Sequence, residues 1–169
     1  MSLYVLTLFT HSYVRWLVVA LVLNVVVRAA IGWSAGNPWS ARDERWHAAL
    51  VGVVDLQFTL GLTLYGLLSP FSAAFFANAR AAMHDPVLRF FGVEHAFGMF
   101  SAVSLVHVGR SLSKRAGSGE QRHRRTCLWT IGALLVIAVS IPWPDRPYGR
   151  PLLRSIAKST RDAVTLVSN

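Results

Sequence analysis

Four long apolar blocks, Leu3–Val27, Trp46–Leu68, Val87–Gly109 and Cys127–Ile141, constrain this chain more than any other feature. Each is comparable with the ~20 residues that a helix needs to cross a bilayer core. A soluble domain would interrupt such runs with charges, and here only 15% of the 169 residues are charged while 53% are hydrophobic. The mean hydropathy of +0.42 belongs with the same pattern. The expected fold class is therefore all-α, an integral membrane four-helix bundle. The first block lacks the basic flank of a signal peptide and runs past the length of its apolar core, so it reads as a retained span.

Residues 1–145 form the expected four-transmembrane-helix domain, and residues 146–169 a basic tail. Mixed apolar and basic residues from Leu152 to Val167 suggest a surface helix on the membrane or on a partner. Between the second and third blocks, Ser69 to Pro86 carries Pro70, Phe71, Phe75 and Phe76. A short interfacial helix is expected there, with Asp85 starting the third span. Two prolines in Ile141-Pro142-Trp143-Pro144 end the fourth block.

The formal net charge of +9 does not point to nucleic acid, because its positions follow the loops. Residues 110–126 hold Arg110, Lys114, Arg115, Arg122, Arg124 and Arg125 against Glu120, which marks a cytoplasmic connection. Four spans then place both termini outside, and the expected location is the bacterial inner membrane. The Arg122-His123-Arg124-Arg125 cluster reads as a topology determinant or an anionic-lipid contact. The basic tail sits awkwardly on the outer side that this topology assigns it.

A single Cys127 excludes an internal disulfide, and no C-x-x-C-H offers covalent haem. No metalloprotease, nucleophile-elbow, P-loop or dinucleotide motif is present, and no motif assigns an enzymatic reaction.

Ionisable side chains at membrane depth are costly, and His11, Arg15, Asp55, Glu94 and His95 stand out. With a rise of ~1.5 Å per residue, His11 and His95 both fall roughly 10–12 Å below the outer surface. They are expected to face each other. The same count sets Arg15 and Asp55 at one level, which suggests an ion pair, with Gln57 and Glu94 completing a polar interior. Two facing imidazoles can bind haem b iron from opposite sides. They can equally hydrogen-bond within a bundle, and both readings stand at this point. Gly92 and Gly98 beside His95 admit either a flat ring or another helix. His47 and His107 are expected near headgroups, and His84 and His123 in loops.

The strings Leu8-Phe9-Thr10-His11-Ser12-Tyr13-Val14-Arg15-Trp16, Asp55-Leu56-Gln57, Pro86 to His95 and Ile141-Pro142-Trp143-Pro144 together resemble a group of small bacterial four-helix membrane proteins often labelled cytochrome-b-like. The resemblance spans about residues 5–145 and implies His11, Arg15, Asp55, Gln57, Glu94 and His95 as site residues. The expected function is a small membrane b-type cytochrome-like subunit passing electrons between quinol and a redox partner, with His11 and His95 as haem ligands. The alternative is a non-catalytic accessory subunit of a larger membrane complex, with the same residues as interhelical glue.

Overall fold

The structure, a computed structural model, describes residues 2–153. The surface helix expected over 152–167 and most of the basic tail lie outside the described residues. Among the described residues all regular structure is helical. Four long helices, α1 (Leu3–Ser34), α2 (Ala41–Leu68), α5 (Pro86–Lys114) and α6 (Gly119–Ser140), enclose the core. Two short ones, α3 (Pro70–Ala77) and α4 (Ala79–Ala82), fill the expected interfacial connection.

Side-chain caps begin these helices and explain where they start. Ser2, Ser69, Asn78, Asp85 and Ser118 each accept from a backbone N–H of the first turn. Ser40 and Asp43 form a reciprocal capping box at the start of α2. Asp85 opens the third long helix as expected, and α6 stops at Ser140, just before Pro142 and Pro144.

α1 packs against α2 and α6, and α6 packs against α5; of the four neighbouring pairs, α2 and α5 touch least. The core runs through Val22, Val25, Leu50, Val54, Ala102, Val106, Ala133 and Ile137. Close approach of α5 and α6 depends on two glycines: a Cβ at Gly109 would strike Trp129, and one at Gly98 would strike Ser140. The outward faces are also apolar, with Leu17, Val27, Leu62, Phe97, Phe100, Leu135 and Val139 exposed. Helices apolar on all sides fit a membrane better than water.

Three of the long helices, α1, α2 and α5, are long and apolar enough to cross a membrane. The fourth expected span does not reach that standard. Glu120, Arg122, Arg124 and Arg125 occupy the first turns of α6, so its uncharged stretch runs only from Thr126 to Ser140. That stretch is ~22 Å long at ~1.5 Å per residue, short of a ~30 Å hydrocarbon core.

The connection expected at 110–126 is mostly helix. Arg110 lies inside α5, Arg122 and Arg125 lie inside α6, and the true loop is Arg115–Ser118. These arginines tie the helix ends together: Glu44 of α2 accepts from Arg110 at 2.6 Å and from Arg122. Arg28 pairs with Asp43 at 2.6 Å, and the Arg122 guanidinium lies 4.5 Å from the Trp39 ring centre. The first and third connections therefore share one basic end of the bundle. His123 is also helical rather than in a loop; it is 2% exposed, beside Gly32 and Trp39. Neither of its ring nitrogens has a hydrogen-bond partner among the described residues.

Candidate functional site

At the opposite end, both α2 and α5 contain a wider π-helical turn, over Leu64–Leu68 and Phe90–Glu94. Such turns shift the side chains that follow them relative to an α-helix. The two turns meet where the Tyr65 hydroxyl donates to the Gly92 carbonyl at 2.7 Å. His95 is the first residue after the second turn. Its ring lies 6.5 Å from that of His11 on α1, at an interplanar angle of 72°. The two histidines thus face each other, as matched depth suggested.

The partners of each ring set its orientation. His95 Nδ1 lies 2.8 Å from the Ser140 carbonyl oxygen, so it carries the proton and leaves Nε2 with a lone pair. On the other side, Gln57 Nε2 donates to the His11 backbone carbonyl at 3.1 Å and lies 3.3 Å from His11 Nε2. Gln57 Oε1 is buried with no protein partner among the described residues.

Both histidines line a cavity of about 270 Å³. This is near the lower bound of roughly 300–1,000 Å³ for small-molecule sites. Its walls are largely apolar, including Phe58, Phe71, Phe91, Met99 and Phe100, and its polar lining includes Arg15, Gln57, Tyr65 and Arg150. The Arg15 side chain reaches the Leu152 carbonyl at 2.9 Å, and Trp16 Nε1 donates to the same oxygen at 3.0 Å. Arg150 lies 4.8 Å and 5.0 Å from the Phe71 and Phe91 ring centres. This cation was absent from the sequence-based site because it belongs to the tail segment; its folding back through an Arg150 N–H bond to the Pro142 carbonyl brings it in.

Two members of the expected polar interior lie elsewhere. Asp55 does not pair with Arg15; its Oδ1 lies 2.7 Å from His107 Nε2 on the outward side of α2 and α5. His107 is accordingly held by a carboxylate. Glu94 pairs with Arg89 at 2.7 Å, with its side chain 43% exposed. Neither acid lines the cavity. His47 is 2% exposed and packs 6.1 Å from Trp39 at the basic end, away from this site.

The ring spacing matches two imidazoles on one metal, although His11 Nε2 would have to exchange its bond from Gln57 Nε2 for the metal. Bonds of ~2.0 Å on each side, plus the distance from nitrogen to ring centre, give centroids about 6 Å apart. The carbonyl on His95 Nδ1 is the kind of partner that orients a metal-binding histidine through its other nitrogen. Among the described residues no cluster of three or more His, Cys, Asp or Glu side chains occurs, so a polydentate cage is not offered. Gly98 and Gly92 provide no cradle for a flat ring, since Ser140 and the Phe75 ring occupy the space beside them. No family model, curated protein or solved structure matches the chain.

Proposed function

We propose that this chain is an integral membrane four-helix bundle of the bacterial inner membrane that acts as a small b-type cytochrome-like electron-transfer subunit. The observation that carries the reading is the His11–His95 ring pair, 6.5 Å apart on the wall of an apolar cavity. Haem b, when bound, supplies one-electron chemistry whose potential depends on axial ligands, nearby charge and burial.

The protein's own residues have distinct tasks in this reading. His11 and His95 would hold the haem iron. The Ser140 carbonyl fixes the His95 tautomer so that Nε2 is available, and Gln57 braces the α1 backbone at His11. Arg15 and Arg150 place positive charge on the cavity wall, where it attracts carboxylates and favours added negative charge. The aromatic walls keep the cavity largely apolar, and lipid-facing apolar helices give a membrane-soluble quinol access to the neighbourhood. Asp55 and Glu94 do not act inside the cavity, because Asp55 is bonded to His107 and Glu94 to Arg89 outside its lining.

The basic end, holding Arg28, Arg110, Arg122, Arg124 and Arg125, is the cytoplasmic end under the positive-inside rule. α6 completes the fourth crossing with its charged first turns in the headgroup layer and Trp143 near the other interface. The reading is tested by replacing each histidine separately. His11→Ala and His95→Ala should each abolish a low-spin haem spectrum, while His47→Ala and His84→Ala should preserve it. An unchanged spectrum in both of the first two variants would remove the ligand assignment.

A further inference from the structure

The Asp55–His107 pair joins α2 to α5, the loosest of the four neighbouring helix pairs, with the side chains 50% and 47% exposed. Asp55 lies nine residues beyond Trp46, which is ~13 Å along the helix. It is therefore well inside the span that α2 provides. An ionisable pair exposed to hydrocarbon at that depth is costly, and such groups ordinarily face protein or water. The isolated chain leaves them facing out.

The surface around the pair is shaped for another helix. Along α2, Ala48, Gly52, Asp55, Thr59 and Leu62 are all exposed and follow a four-three-four-three spacing. This is the heptad register of a left-handed helix crossing. A Cβ added at Gly52 would meet nothing within 4 Å, unlike Gly32, Gly92, Gly98 and Gly109, whose Cβ positions run into neighbours within this chain. Small residues on a membrane helix let a second backbone approach closely, and among the described residues no element of this chain packs on Gly52.

Charge selects the occupant. His107 Nε2 engages Asp55 Oδ1. A net charge facing hydrocarbon is far more costly than a neutral pair, and a neutral Asp55–His107 pair leaves, between Nδ1 and Oδ2, one further donor and one further acceptor. That combination is self-complementary. A two-fold axis along the membrane normal sets the second copy's residues at the same depths as their counterparts, so acceptor and donor meet across the axis.

We propose that a second copy of this chain covers the α2/α5 face in a parallel two-fold dimer, with Asp55 and His107 of each copy bonding across the axis. The proposal rests on reading α2 and α5 as membrane spans and is independent of haem.

The test uses the full chain in native membranes and in lipid nanodiscs. Thr59→Cys should give an oxidant-induced species of twice the chain mass, while Val139→Cys, on the exposed face of α6, should not. In dilution experiments on the chain labelled for energy transfer, Gly52→Leu should raise the dissociation constant about tenfold or more. Asp55→Asn combined with His107→Gln should shift it in the same direction, with helix content unchanged. Equal cross-linking at both cysteine positions, a monomer throughout, or cross-linking of Thr59→Cys to a different protein would overturn the proposal. Alkaline carbonate extraction tests the span reading separately: release of the chain would refute that reading itself.

Discussion

Gly98→Ala tests the link between helix packing and the orientation of His95. A Cβ at this position would lie 3.0 Å from Ser140 Cβ and closer still to its hydroxyl oxygen. Carbon atoms pack optimally at about 3.5–4.0 Å, so α5 and α6 must separate by roughly 0.5–1 Å. The His95 Nδ1–Ser140 O contact, 2.8 Å at present, spans the same seam. A shift of that size stretches it to about 3.3–3.8 Å, which weakens the bond and at the upper end breaks it. Overpacking of this kind costs about 1–3 kcal/mol. Ser140→Ala removes the nearest atom, the hydroxyl, without removing the carbonyl, so the double variant should regain about half or more of the loss. Unfolding by SDS in mixed micelles provides the four stabilities of a double-mutant cycle, with a coupling of about 1 kcal/mol or more expected. Additive effects, with coupling below about 0.3 kcal/mol, would refute the argument that these two side chains compete for one space.

Two further outcomes follow from the same geometry. Glu44→Gln removes the charge that both Arg110 and Arg122 engage; a loss of about 1–3 kcal/mol is expected for charge-assisted bonds at a half-buried site, and an unchanged unfolding midpoint would count against this hub. Tyr65→Phe deletes the bond between the two π-helical turns and should cost about 1 kcal/mol, with faster amide exchange around Gly92 as the local readout.

Helix positions were legible because apolar block lengths and short polar caps are local signals. Asp85 before Pro86 announces a helix start that the structure retains, whereas the start of α2 lies at Ala41 behind its Ser40–Asp43 cap, ahead of the apolar block that begins at Trp46. Depth counting also brought His11 and His95 together correctly. It failed for Arg15 and Asp55 because depth says nothing of direction around the helix. Asp55 and Gln57 are two residues apart, roughly 200° around an α-helix, so they point to opposite sides. Gln57 lines the cavity and Asp55 points out.

Other parts of the site depend on contacts distant in sequence. The arginines at 110 and 122 looked like loop residues because charge ends an apolar block, yet the helices continue past it and both meet Glu44. Arg150 enters the cavity lining only because the segment after Pro142 turns back. His123 had no visible signal beyond its basic neighbours; its burial comes from the space that Gly32 leaves on α1.

The central claim is most directly tested by the absorbance spectrum of the purified full chain, oxidised and then reduced, after expression with adequate haem supply. The account predicts a reducible Soret and alpha band of a six-coordinate, low-spin haem, lost in His11→Ala and in His95→Ala. A folded, membrane-extracted protein with no haem absorbance would contradict it.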